Sequence, residues 1–237
     1  LGDVYKRQPE YWGLYPVEND GLDRNVCWAM VRGEGERTVV LVHHYDVVDI
    51  EDYKTLKPFA YTPDQLCAEL KKHMDMLPED AEQDLKSGNF LFCRGGCDMK
   101  GGGAIQYALL EAYSRLPEFR GNVVVIGVPD EENLSAGMRG AARLLAELQE
   151  KYGLRYVMMI NSEPHQRKDF SRGVFSEGTV GKMMPFVYVR GYLSHAGKVF
   201  EGLNPVSVLS EIVARTEVNM EFSDTCLLYT SDAADDK

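Results

Sequence analysis

Four clusters of polar residues each lie beside an apolar run, and each offers donors that bind divalent metals. His43-His44-Tyr45-Asp46 follows Val39-Val40-Leu41-Val42. Gly95-Gly96-Cys97-Asp98-Met99-Lys100-Gly101-Gly102 opens an apolar stretch. Asp130-Glu131-Glu132 follows the run from Asn122 to Val128, and Ser162-Glu163-Pro164 follows the run from Tyr156 to Ile160. One imidazole with several carboxylates suits Zn²⁺, Mn²⁺ or Co²⁺. There are more carboxylates than one ion can use, which points to two ions sharing a bridging carboxylate.

The elements around these clusters must bring them together. Thr38–His43 and Asn122–Val128 are β-branched apolar runs of the kind buried in parallel sheets. Val26–Val31 and Tyr156–Ile160 read as further strands. Thr62-Pro63 predicts a helix start, with the helix running to about His73. Gly101–Leu116 predicts a helix with Ile105, Ala108, Leu109, Ala112 and Leu116 on its inner face. Ala141, Leu144, Leu145, Leu148 and Tyr152 mark another helix, which Gly153 ends. Residues 50–92 are polar and mixed. Strands alternating with helices predict an α/β fold with a mostly parallel sheet. In such sheets ligands bind beyond the carboxyl ends of the strands, which is where the polar clusters fall. From Val180 the texture changes. Met183–Arg190 reads as a strand, and Asn204-Pro205 starts a helix with Val206, Leu209, Ile212, Val213 and Met220 turned inward.

Composition narrows the partners. Of 237 residues, 44% are hydrophobic and 27% charged, enough for a sizeable core. Lys and Arg number 26 against 37 Asp and Glu, a net charge of −11 that argues against nucleic acid. No apolar run approaches the length of a membrane span, and no signal-peptide pattern is visible. Five cysteines without a framework suggest a reducing, cytoplasmic setting.

Both ends read as foreign. Asp3-Val4-Tyr5-Lys6-Arg7-Gln8 and Cys226-Leu227-Leu228-Tyr229-Thr230-Ser231 can both come from one short DNA element translated in opposite orientations. That element resembles the transposase adapter of sequencing libraries. Residues 1–8 and 226–237 are therefore set aside as adapter translation, and the chain between them reads as a piece of a longer protein.

The ordered clusters resemble the M20 family of metallopeptidases and related amidohydrolases. His44-Tyr45-Asp46-Val47-Val48 resembles its H-x-D-x-V motif. The segments around Asp98, around Asp130-Glu131-Glu132 with Gly137, and around Ser162-Glu163-Pro164 resemble the three motifs that follow. The long stretch between Asp46 and Asp98, with Gly191–Gly197, is most similar to the RocB branch. The resemblance spans roughly residues 25–220. It implies a three-layer α/β/α zinc-peptidase-like catalytic domain over 9–180. It also implies the beginning of an inserted α+β lid and dimerisation domain over 181–225.

Carried onto this sequence, the resemblance implies a dinuclear site holding two divalent ions, zinc first, manganese or cobalt as alternatives. His44 and Glu163 would bind one ion, Glu132 the other, and Asp98 both. Asp46 would orient the His44 ring. The Asp98–Met99 peptide would be cis. Glu131 would be the general base that activates water against an amide or peptide bond. His195 would come from the lid and reach the active site of the other subunit, making a homodimer part of the catalytic unit. The substrate would be a small peptide or an N-acyl amino acid. The family's final histidine ligand comes after the lid. This sequence has only His43, His44, His73, His165 and His195, none in that place. The chain by itself is therefore expected to bind metal poorly and to be inactive.

Two other functions remain open at this level. One is an M20-like protein that binds a metal or an amino acid without catalysis. The other is a nucleotide-binding module around Gly101-Gly102-Gly103, although the cluster lacks the Lys-Ser/Thr spacing of a phosphate loop. His43 reads as structural, pointing away from His44. Cys93 and Cys97 read as loop thiols, and His73 and His165 as exposed.

Overall fold

The computed structural model describes residues 11–165, 185–217 and 219. Contacts divide the chain into two units, Leu1–Val174 and Phe175–Lys237.

In the first unit five strands form one sheet: β1 (Trp12–Pro16), β2 (Asn25–Arg32), β3 (Arg37–His44), β4 (Asn122–Val128) and β5 (Arg155–Asn161). Their spatial order is β1-β2-β4-β3-β5. β3 pairs in parallel with β4 and β5, while β1 and β2 form an antiparallel extension beside β4. Among its described residues this unit has four α-helices: α1 (Pro63–Leu70), α2 (Glu79–Ser87), α3 (Gly102–Ser114) and α4 (Ala136–Tyr152).

Side chains on a strand alternate between faces, and β4 shows why its apolar run is unbroken. Val124 and Ile126 pack with Val40 and Val42 and with Ala141, Leu144, Leu145 and Leu148 of α4. Val123 and Val125 pack on the other face with Leu41 and with Leu110 of α3. Helices thus cover both faces of the sheet, giving the three-layer α/β/α arrangement. Gly153 ends α4 in the left-handed conformation, its N–H donating to the Gln149 carbonyl.

Several expectations are corrected. The inner face of α3 is not the Ile105–Leu109–Leu116 stripe, whose members are 61%, 39% and 49% exposed. The buried positions are Gly102, Gly103, Gln106 and Leu110. Before Leu110 the helix packs through two glycines and one amide, because its first turn must approach the strand ends closely. The helix from Pro63 becomes a tighter 3₁₀ segment over Lys71–Met76, and Thr62 does not cap it through its side chain. The mixed region also carries the short helical segment Glu51–Phe59 and α2. The sheet is less parallel than expected, because β1 and β2 run against their neighbours.

In the second unit, α5 (Pro205–Thr216) starts as the sequence predicts. The Asn204 side chain accepts from the Val206 N–H at 3.0 Å, and Pro205 takes the first turn. Its apolar stripe is not buried: Val206 and Val213 are exposed, and Leu209 and Ile212 half-buried. No described strand or second long helix lies in this unit to cover it. Of the expected strand Met183–Arg190, the first two residues lie outside the described set, and 185–190 form no strand. A strand needs a neighbouring backbone, and among the described residues of this unit only the isolated bridge Tyr192–Leu203 provides one. Met220 lies outside the described residues.

Candidate metal centre

The three parallel strands end side by side. His44 lies opposite Val128 and Val42 opposite Asn161, so the residues following β3, β4 and β5 emerge at one edge of the sheet. The irregular turn Gly96–Gly101 brings Asp98 to the same edge, and its Asp98–Met99 peptide is cis. α3 follows without a break. A Cβ on Gly102 would lie 2.2 Å from the Ser162 carbonyl oxygen, so only glycine lets this turn meet the strand that delivers Glu163. The glycine cluster therefore serves close packing.

His44 is buried at the centre of the cluster, and its Nε2 lies 2.8 Å from Asp98 Oδ1 and 3.7 Å from Glu163 Oε1. One donor atom each from His44, Asp98 and Glu132 lies within 4.8 Å of the others. Asp98 and Glu163 are 54% and 37% exposed, so the cluster is closed toward the sheet and accessible at its carboxylates. Burial pulls the His44 pKa down, but the Asp98 hydrogen bond and the Glu163 charge outweigh it and hold it above the ordinary histidine value. Burial and then the Asp98 charge push Glu132 above the usual glutamate value, against the pull of His44. One imidazole nitrogen and several crowded carboxylates form a donor set that a divalent cation satisfies, so the residues fit such an ion.

Asp46 sits behind the cluster. Its backbone carbonyl is 3.1 Å from His44 Nδ1, closer than its carboxylate at 3.5 Å. The carboxylate instead accepts the N–H groups of Glu131 and Glu132, each at 3.2 Å. It thus holds the acidic turn as well as lying beside the imidazole. His195 lies in the second unit, exposed, with Nδ1 accepting the Gly197 N–H at 3.1 Å. That bond leaves Nε2 to carry the ring proton. His73 and His165 are exposed, and Cys27, Cys67, Cys93 and Cys97 are free thiols.

A second polar network lies beneath the cluster, and the sequence reading missed it. His43 turns away from His44 into the α3 layer. Its Nδ1 meets Gln106 Oε1 at 2.8 Å and its Nε2 meets Tyr107 Oη at 3.2 Å. Gln106 Nε2 donates to the Val42 carbonyl at 2.7 Å and to Ser162 Oγ at 3.0 Å. Because the Gln106 oxygen accepts, His43 carries its proton on Nδ1 and accepts the Tyr107 hydroxyl at Nε2. Gln106 therefore ties β3, α3 and the residue before Glu163 together. Gln106→Leu strands several buried partners at once and is expected to cost about 2 kcal/mol or more, read as a lower urea midpoint. An unchanged midpoint would remove this network from the account.

α4 begins close behind the acidic turn. A Cβ on Gly137 would stand 2.2 Å from the Pro129 carbonyl oxygen. Gly137→Ala must push the helix start off that turn, and is expected to cost about 1–3 kcal/mol in thermal or urea unfolding. A variant as stable as the parent would show that the turn and helix can separate freely.

A family model described as Peptidase family M20/M25/M40 matches residues 70–226. The chain belongs to this family. It is 35% identical over 223 residues to the uncharacterized protein YqjN of Bacillus subtilis (strain 168), covering 93% of this chain and 40% of that one. It is 30% identical over 226 residues to Protein RocB of the same organism, covering 93% and 39%. The chain thus spans about two-fifths of the length of these relatives. Among solved structures, human carnosine dipeptidase 1 is similar to it with a TM-score of 0.40 and 18% identity, over 66% of this chain and 30% of that one. Among the described residues, no helix is long and apolar enough to cross a membrane.

Proposed function

We propose that this M20 chain carries most of the dinuclear metal site of a cytoplasmic hydrolase that cleaves an amide or peptide bond. The observation that carries the reading is the convergence of His44, Asp98 and Glu132 donor atoms within 4.8 Å, with Glu163 beside the same imidazole. In this reading His44 and Glu163 hold one ion, Glu132 the other, and Asp98 faces both. The ions would be zinc, or manganese or cobalt, and when bound they acidify water and polarise the scissile carbonyl.

The chain's own residues do the rest. Glu131 takes the proton of the attacking water at its carboxylate and later gives it to the leaving amine. Asp46 fixes that carboxylate by gripping the backbone N–H groups of Glu131 and Glu132. The Asp46 backbone oxygen accepts from His44 Nδ1, which leaves Nε2 turned toward the carboxylates. His195, with its proton on Nε2, is the hydrogen-bond donor offered to the developing oxyanion, from the partner subunit of a homodimer. The family resemblance calls for one more histidine ligand than these residues supply, so in this reading the 237-residue chain alone binds metal weakly and does not turn over. Substrates are small peptides or N-acyl amino acids.

The test uses the whole protein and a panel of dipeptides and N-acyl amino acids, before and after chelation. Turnover that disappears with chelator and returns with Zn²⁺, Mn²⁺ or Co²⁺ is the expected result. Turnover indifferent to chelator contradicts the reading. Metal binding with no turnover on any amide would favour a non-catalytic metal- or amino-acid-binding protein.

A further inference from the structure

Asp130 opens the acidic turn, yet neither metal binding nor proton transfer uses it. It is 4% exposed, and its backbone is left-handed at φ 68°. Every acceptor it offers is occupied. Oδ1 accepts Arg24 Nη1 at 2.7 Å, and Oδ2 accepts the Ala136 N–H at 3.0 Å. Its main-chain carbonyl accepts the Ser135 N–H at 2.6 Å.

These partners define a closed device. Ser135 precedes α4 but does not cap it with its side chain. Asp130 supplies the missing acceptor from across the turn, and its charge suits the amino end of a long helix. Arg24 stands at the entry to β2 and spends its other donors on Asp20. Nε lies 3.0 Å and 3.1 Å from the two Asp20 oxygens, and Nη2 lies 2.7 Å from Oδ1. The Arg24 backbone N–H also donates to Asp20 Oδ2 at 2.7 Å. A planar fork held on one side by Asp20 presents Nη1 to Asp130 in one direction only. Residues 131–134 close the loop between these anchors. Asp46 grips the same loop from the opposite side through the Glu131 and Glu132 N–H groups.

We propose that Arg24 and Asp130 are positioning residues for the Glu131–Glu132 turn. The guanidinium fork and the start of α4 fix Asp130, and Asp130 fixes where the next two carboxylates stand. The consequence for metal binding rests on the hydrolase reading; the mechanical part does not.

The test uses the whole protein with Arg24→Met, Arg24→Lys and Asp130→Asn. Amide hydrogen exchange of the metal-free chain is followed by mass spectrometry in segment 129–136, with 123–127 of β4 as internal control. A Co²⁺ titration by visible absorption accompanies it. Arg24→Met is expected to speed exchange in 129–136 by about tenfold while the β4 segment holds. It is expected to weaken Co²⁺ binding by about 10–100-fold, the usual effect of losing a partner behind a ligand. Arg24→Lys recovers part of both, because it keeps the charge but not the fork. Asp130→Asn behaves like Arg24→Met, because one acceptor becomes a donor. Unchanged exchange in 129–136 overturns the proposal. So does faster exchange with wild-type Co²⁺ affinity. If Arg24→Met fails to fold, Arg24→Lys and Asp130→Asn carry the same comparison. If the wild-type whole protein binds no Co²⁺, the metal reading fails separately, and exchange alone decides the clamp.

Discussion

Glu131→Gln in the whole protein is expected to lower kcat by about 10²–10⁴-fold, the usual contribution of a positioned general base. Metal affinity is expected to stay near that of the parent, because the amide replaces a group assigned to protons and not to metal. The backbone N–H of residue 131 still donates to Asp46 Oδ1, so the turn keeps its shape. Steady-state rates alongside a Co²⁺ titration separate the two effects. A variant that loses metal as well as rate would move Glu131 among the ligands. A variant with parental rates would remove it from the chemistry.

His44→Ala is expected to do the opposite. It removes the imidazole that faces Asp98 and Glu163. The loss of metal affinity, measured by calorimetric titration with Zn²⁺, should exceed the about 10–100-fold that follows loss of a supporting residue. The neighbouring His43 provides the internal contrast. His43→Ala breaks the buried bonds to Gln106 and Tyr107 and should lower stability with a smaller effect on metal. Equal metal affinity in His44→Ala and the parent would contradict the assignment of this cluster.

Much of this arrangement is legible in the residues because it rests on short-range patterns. The β-branched runs at 38–43 and 122–128 mark strands buried on both faces, and the polar residues after them fall at one sheet edge. The alternation of side chains along β3 separates His43 from His44. What is not legible has physical causes. β1 is half exposed, with Trp12 and Leu14 open to solvent, and it lacks a continuous apolar signal. The stripe on α3 misleads because helical periodicity does not say which face a neighbour covers. Two glycines and a glutamine win there, since close approach to Ser162 needs the absence of a side chain. The Gln106 network and the Arg24–Asp130 pair join residues 63 and 106 positions apart, a separation that no local spacing encodes.

Asp46 illustrates the middle ground. The resemblance assigns it to the His44 ring, and it does lie beside that ring. Its carboxylate also reaches two backbone N–H groups 85 and 86 residues away, a role that depends on the strand ends meeting in space. The order of motifs names the candidate ligands, and the sheet supplies their supports.

The most direct test is crystallographic. Crystals of the whole protein soaked in Zn²⁺ are measured above and below the zinc absorption edge. The account predicts anomalous peaks among His44, Asp98, Glu132 and Glu163, with Asp98 between two ions. A map with no peak at these side chains, in crystals that hold zinc elsewhere on the protein, would contradict it.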